Sequence, residues 1–534
     1  MTPPDRKNPY NFDEYIEWRR NVDYYRDDPF IQKVVKSICG ELWEQADSAA
    51  RRISPKVSFD WRDMSQAIAR PENRPYIQHY DAHRHRIDRI VRPAQILTME
   101  KEVFAEALFS DRTHPWIKLV KMYLIYQNGE ACTSCPLVCT EGLVAVLEKF
   151  ADTPELRRIL THCKEGIDGD FGMGAQFISE AQGGSDIPSN LLEAVETDGN
   201  WRLYGNKFFC SATHADYAVV TAKPAGSDTV AMFVVPSWLP GDKVREQRNH
   251  ITIDRLKWKM GTSELPTAEM TFNGATAYPV GPLERGVANV VGIVLTLSRL
   301  TVGLSGAAVM TRAAREALKY AEFRQAFGQP IGQFPMLAGQ LDWIAASARR
   351  TTAGAFKLYR EFLQLDGGLK GGLAFDEKNE QMNKRRFDVR ELIMLQKIAA
   401  SWDATDVLRA AMSVLGGHGV IEDFSDLPRL FRDAAINELW EGPRNVLLTQ
   451  IYRDLQRVRE WYPPAEFVDR ILSGTDASVI RQLSEEITEL ILHADLFRPG
   501  EQAREICARW DKFCHRLVHE YQDLAAAGIE AGNT

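Results

Sequence analysis

The run Tyr217-Ala218-Val219-Val220-Thr221-Ala222, followed after a stretch of turn residues by Val230-Ala231-Met232-Phe233-Val234-Val235, decides the fold class. Both pieces are short and rich in aromatic and β-branched residues, the composition of strands. Trp201–Tyr204 and Ala268–Phe272 have the same character, and Thr197-Asp198-Gly199-Asn200 supplies a turn between runs. Residues 171–285 are therefore expected to form a β domain. On either side the period changes. Residues 1–170 carry long mixed apolar and charged stretches such as Met99–Leu108 and Leu143–Ile159, which suit amphipathic helices. From 286 helical spacing returns, with helices expected near 287–325, 334–364 and 388–415 and an interruption at Asp366-Gly367-Gly368-Leu369-Lys370-Gly371-Gly372. Ile480–Leu492 and Ile506–Val518 extend the helical pattern through residues 451–534. Helix, sheet and helix in series make an α+β chain, without the βαβ alternation of a parallel dinucleotide-binding sheet.

A chain of 534 residues exceeds what one hydrophobic core serves, and its 45% apolar content is ordinary for a globular protein. The expected units are 1–170, 171–285, 286–450 and 451–534. A net charge of −8 gives no general affinity for nucleic acid or anionic lipid. The apolar run Gly286–Met310 is divided by Arg299 and reads as a buried core helix, so no membrane role is expected. The start, Met1-Thr2-Pro3-Pro4-Asp5-Arg6-Lys7, has no apolar segment leading to a cleavage site, and the expectation is a cytoplasmic protein. The eight cysteines are then reduced thiols. Cys132, Cys135 and Cys139 have ligand-like spacing but no second Cys/His pair nearby, and core packing is the expectation, with no metal.

Chemistry concentrates at Leu439-Trp440-Glu441-Gly442. A carboxylate beside a large aromatic is partly desolvated, which raises its pKa toward working pH, and the glycine lets a substrate approach the backbone. Alone, a Glu-Gly pair is also ordinary at a helix end. It acquires meaning beside Glu180-Ala181-Gln182-Gly183-Gly184-Ser185-Asp186, Gly205-Asn206-Lys207-Phe208-Phe209-Cys210-Ser211, Arg324-Gln325-Ala326-Phe327-Gly328-Gln329-Pro330-Ile331 and Gly416-Gly417-His418-Gly419. In that order, over residues 100–450, these motifs resemble the flavin-dependent acyl-CoA dehydrogenases.

The resemblance implies an N-terminal helical domain, a middle β-barrel-like domain and a C-terminal four-helix domain, here with a helical extension. It implies FAD held between the last two domains and a neighbouring subunit, in a homodimer or homotetramer. It also implies an acyl-CoA substrate and an electron-transfer flavoprotein as acceptor. Glu441 takes the position of the catalytic base, its own N–H polarising the thioester carbonyl. Ser298 stands where some branches place the base instead. Ser179, Gly184, Ser185, Phe209 and Ser211 match flavin-ring and substrate-entry segments. Arg324, with Phe327 as an apolar wall, matches a pyrophosphate contact, and Gly416 and Gly417 match the approach to the other end of the dinucleotide. Ser185, Arg299, Glu441 and Gly442 are the expected substrate contacts.

Three positions depart from the family pattern. Pro443 replaces a hydroxyl residue, Asn445 stands in for a longer amide near the flavin, and Ser413 replaces a glutamine. The Glu180–Asp186 motif with Ser189-Asn190 also resembles the adaptive-response alkylation-protection branch, flavoproteins with weak dehydrogenase activity that bind DNA through a C-terminal region. Residues 451–534 carry ten Lys/Arg and fifteen Asp/Glu, a net of −5, the wrong sign for neutralising phosphates. The enzyme reading therefore ranks above the DNA-binding one.

Overall fold

The computed structural model describes residues 11–365, 379–493, 496 and 500–532. The expected interruption at Asp366–Gly372 lies outside the described residues. The N-terminal part is built of helices such as Pro29–Ile38, Ala94–Phe104, Pro115–Tyr126, Ser134–Phe150 and Pro154–Glu165. Their starts are written in the sequence. Asp28 accepts from Phe30 N and Ile31 N at 3.1 Å ahead of Pro29, and Thr153 accepts from Leu156 N at 3.2 Å ahead of Pro154. The stretch Leu143–Ile159 is divided at Ala151–Thr153 by that second cap.

One piece of this region is not helical. Tyr76–Tyr80 pairs antiparallel with Arg86–Val91, correcting the expectation of helices throughout 1–170. The hairpin exists because of a partner distant in sequence. Ile253 N donates to Asp88 Oδ2 at 2.9 Å and Arg86 donates to Ile253 O at 3.1 Å, which ties it to a strand of the middle domain.

That middle domain closes on itself. Glu193–Thr197 pairs with Asn200–Ser211, which pairs with Thr267–Pro279. This strand meets Ala231–Pro236, which pairs with Tyr217–Pro224, and the last returns in parallel to Glu193–Thr197. Closure leaves the ring without a free edge. Gly174–Phe177 and Ile251–Leu256 add to it from outside the ring. Residues 218–222 and all of 231–236 are buried, and for that reason these stretches read as nearly continuous apolar runs.

Three long helices, Leu295–Phe323, Pro335–Leu363 and Glu380–Val414, form the bundle with Leu427–Asn437 and Arg444–Val458. Leu283–Phe323 is long and apolar enough to cross a membrane by composition, but 72% of its most apolar stretch is buried within the protein. It is a core helix, as the sequence indicates. The extension, Pro464–Ile471, Ala477–Ile491 and Glu501–Ala531, is docked on the bundle. Trp510 donates to Leu448 O at 3.0 Å, Gln522 to Gln396 Oε1 at 2.9 Å, and Arg444 to Asp511 Oδ1 at 2.7 Å. His519 faces Asp403 at 2.7 Å, adding a polar contact to the apolar seam.

Candidate active site

The turn 438–442 between helices Leu427–Asn437 and Arg444–Val458 carries the expected base. Glu441 has φ 59° and Gly442 φ 99°, two successive left-handed residues that reverse the chain before Pro443 begins the next helix. A non-glycine residue in this conformation is strained and persists only where its surroundings hold it. Two cations do so. Arg299 Nε donates to Glu441 O at 2.9 Å; Lys397 Nζ donates to Gly442 O at 2.8 Å and Glu438 O at 3.2 Å. Arg299, expected near CoA, is thus buried against the backbone of Glu441, 8% exposed. Side-chain volume is limited too: a Cβ on Gly442 would lie 2.9 Å from Leu447 Cδ2.

Glu441 as a residue is half-buried, but its Oε2 is sealed from solvent and accepts no hydrogen bond within the chain. Burial pushes its pKa up to about 7, against the pull of Arg299 and Lys397. Lys397 is pushed down to about 7, again by burial, with Glu441 as its chief support. Lysine 397 was not legible as a site residue, since in Leu395-Gln396-Lys397-Ile398 only its place on the buried face of a helix sets it apart. Replacing it with Met is expected to lower the rate of flavin reduction about 10- to 100-fold by loosening the position of Glu441. The same change moves the acid limb of the rate profile to higher pH, because Glu441 loses one of the charges that favour its ionised form. Lys397→Arg should restore part of both effects, and a pH profile of single-turnover rates reads them.

A cavity opens beside Trp440 and Glu441, with a water-accessible volume of about 30 Å³. Its lining includes Val138, Val302, Val309 and Ala434 together with Glu130, Thr262 and Asp433. Asp433 is a clamp between three segments: it accepts from Thr262 N at 2.7 Å and Glu130 N at 3.2 Å, fastening the barrel loop and the 127–133 turn to the helix that leads to Glu441. Burial, and then the nearby Glu264, raises Asp433. Burial with Glu264 and Asp433 raises Glu130. Ser298, at the alternative base position, has its hydroxyl engaged, donating to Val294 O at 3.0 Å and accepting from Gln176 Nε2 at 3.0 Å.

The residues expected to hold FAD fall into two groups. Arg324, Gly416 and Gly417, far apart in sequence, line one cleft of about 500 Å³ with Tyr320 and His418. A Cβ at Gly416 or Gly417 would meet nothing within 4 Å, so the cleft wall is open there. An arginine beside exposed backbone in a cleft of this size fits a dinucleotide phosphate. Phe327 sits at the tip of the hairpin Gln325–Ala326 and Gln329–Pro330 and is 97% exposed. The second group lies at one end of the barrel. Phe208 N donates to Ser179 O at 3.0 Å, and Lys207 Nζ reaches Glu180 Oε1 at 2.8 Å, which joins the 179–185 loop to the strand bearing Phe209 and Ser211. Gly184 rests on Ser179, its would-be Cβ 2.2 Å from Ser179 Oγ. Phe209 is exposed beneath Lys257 Nζ, 4.6 Å from its ring centre, and Ser211 Oγ meets Thr267 Oγ1 at 3.1 Å. Ser185 and Asn445 are exposed, and neither borders the Glu441 cavity.

A closed β domain set before a helical bundle, with a buried carboxylate in the turn between two of its helices, defines a class of flavin-dependent oxidoreductase. The chain belongs to the acyl-CoA dehydrogenase family: residues 175–275 match its middle domain and residues 284–456 its C-terminal domain, together just over half of the sequence. Members of this family bind FAD and act on acyl-CoA. The chain is 28% identical to AidB of Escherichia coli (strain K12) over 412 residues, 72% of this chain and 70% of AidB. It is 25% identical to acyl-CoA dehydrogenase family member 11 of Caenorhabditis elegans over 454 residues, 80% of this chain and 70% of that protein. The solved structure of C. elegans ACDH-11 in complex with C11-CoA superposes with a TM-score of 0.79 at 22% identity, covering 96% of this chain and 90% of that one, and so shares its fold.

Proposed function

We propose that this protein oxidises an acyl-CoA thioester to the 2,3-enoyl-CoA, with Glu441 as the base that removes the α-proton. The observation that carries the reading is the sealed, unpartnered Oε2 of Glu441, whose pKa burial lifts to about 7, in the wall of a cavity. A carboxylate near neutrality is ionised often enough to accept a proton and basic enough to take one from carbon. FAD, when bound, supplies the acceptor for the β-hydrogen leaving as hydride. The chain does the rest. Glu441 N–H donates to the thioester carbonyl and stabilises the enolate that develops as the proton leaves. Arg299 and Lys397 hold the two carbonyls of the turn, so this N–H and the carboxylate keep a fixed relation. The apolar walls keep water from the α-carbon. Arg324 would hold the pyrophosphate of the bound dinucleotide, Gly416 and Gly417 would admit its far end, and Ser179, Gly184, Ser185, Phe209 and Ser211 would meet its ring end. The exposed Phe327 supports a further proposal, that a second copy of the chain covers this hairpin in a homodimer or homotetramer.

An anaerobic panel of short, branched, aromatic and long acyl-CoAs tests the reading: one class should bleach the oxidised flavin within the turnover time, and bleaching by none would defeat it. The described residues of the extension do not favour the alternative of DNA binding. Arg470, Arg509 and Arg516 are paired with Asp388, Glu489 and Glu486. Duplex affinity is expected to stay in the non-specific range at physiological salt, and removal of residues 459–534 should not change its salt dependence.

A further inference from the structure

Two clusters among the described residues bring the donor atoms of three metal-binding side chains within 4.8 Å of one another: Glu100, Cys132 and His214, and Asp403, His515 and His519. In the first, Arg92 hydrogen-bonds Glu100 Oε1, the oxygen that Cys132 Sγ and His214 Nε2 also face, so a fixed guanidinium takes the place of a cation. The second is assembled differently. His515-Arg516-Leu517-Val518-His519 sets two histidines four residues apart, hence on one face of helix Glu501–Ala531. Phe513, Leu517 and Tyr521, buried in the main core, fix that helix against Pro335–Leu363 and Glu380–Val414. The two rings then meet Asp403, a buried carboxylate of Glu380–Val414: His515 Nε2 lies 3.2 Å from Oδ1 and His519 Nε2 2.7 Å from Oδ2. Ligand bonds of about 2.0–2.2 Å set neighbouring donor atoms about 3 Å apart, the spacing of these pairs.

Protons alone satisfy the cluster poorly. His519 Nε2 also faces Arg350 Nη2 at 3.4 Å, and one ring nitrogen cannot donate to Asp403 and accept from Arg350 at once. Charging both rings instead sets two imidazolium ions with their centres 4.1 Å apart beside that guanidinium.

We propose that Asp403, His515 and His519 bind a divalent transition-metal ion of the zinc class, which clasps the C-terminal helix to the bundle. Two imidazoles and a carboxylate suit Zn2+ and its first-row neighbours, whereas Mg2+ and Ca2+ are held by oxygen donors. His515 is half-exposed, which gives the ion a way in and a position for water. Arg350, 3.8 Å from Asp403 Oδ2, lowers the affinity by its charge, and micromolar binding is expected. The three ligands are separate from the lining of the Glu441 cavity, and the site does not depend on the dehydrogenase reading.

In the test, full-length flavin-loaded protein, freed of metal by dialysis against a chelator, is titrated with Zn2+ in competition with a chromophoric chelator. One equivalent per chain should bind, and His519→Gln and Asp403→Asn should each weaken binding about tenfold or more. His85→Asn, in the exposed loop where His85 meets Asp81, should leave it unchanged. Zinc-edge X-ray absorption of the wild type should show two imidazole ligands, a reading that needs no variant to fold. Bound Zn2+ should also slow amide hydrogen exchange in Glu501–Ala531. Absence of stoichiometric binding overturns the proposal and leaves the three side chains as an ion-paired seam. A first shell without two imidazoles, or binding that His85→Asn removes and Asp403→Asn does not, overturns it by moving the ion elsewhere. Binding with unaltered exchange overturns the clasp.

Discussion

Glu441→Gln is expected to slow flavin reduction by an acyl-CoA about a thousandfold or more, while the oxidised flavin spectrum stays that of the wild type. The amide keeps the shape and the turn but cannot accept a proton from carbon. The variant should also be more stable at alkaline pH. Burial raises the carboxyl from 4.5 to about 7, so between these values the folded protein holds a proton that the unfolded chain has released. Stability therefore falls as pH rises through this window, and the penalty is complete above about 7. Removing it is worth on the order of 2–3 kcal/mol at pH values above the window and nothing below pH 4.5. Urea midpoints of the two proteins should converge in acid and separate in base. A variant that is slow yet no more stable in base would mean that Glu441 is not held in the environment described.

Arg312→Met should produce the largest loss of stability. The guanidinium is 1% exposed; it pairs with Glu316 through Nε and with Asp426 through a nitrogen 2.7 Å away, and it lies over the Tyr24 ring. The two carboxylates answer in kind. Burial works to raise both, but Arg312 foremost and Arg19 next hold them below the ordinary carboxylate range. Methionine fills similar volume but leaves two negative charges in the core, and breaking a buried pair from one side costs about 3–5 kcal/mol. Asp426 immediately precedes helix Leu427–Asn437, the element that delivers Trp440 and Glu441 to the cavity, so activity should fall with stability. Adding Glu316→Gln should recover part of the loss, because one of the stranded charges is then gone. Denaturant midpoints read both variants, and a change under about 1 kcal/mol for Arg312→Met would contradict a buried network.

The barrel was legible because its strands carry their own signature: Ala231–Pro236 is buried throughout and Tyr217–Pro224 along its middle, so both read as apolar runs, while Thr267–Pro279 is buried more intermittently. The Tyr76–Val91 hairpin was not, since its residues are mostly polar and its stability comes from Asp88 and Arg86 meeting Ile253. At the site, Glu441 was identifiable from its motif and its neighbours in the chain. Arg324 and Gly416 were named separately, and only the folded chain brings them to one cleft. Lys397 and Asp433 illustrate the limit. Each acts on something distant in sequence, Lys397 on Gly442 and Asp433 on Thr262, and no local pattern records such a meeting. Asp433 proves to be the fastening of the barrel loop.

The most direct test of Glu441 as an α-proton base is single-turnover flavin bleaching with acyl-CoA deuterated separately at the α- and β-carbons. Primary isotope effects at both positions in the wild type, together with loss of bleaching in Glu441→Gln, are the predicted result. Bleaching that shows no effect at the α-carbon, or that survives in Glu441→Gln, would contradict the account.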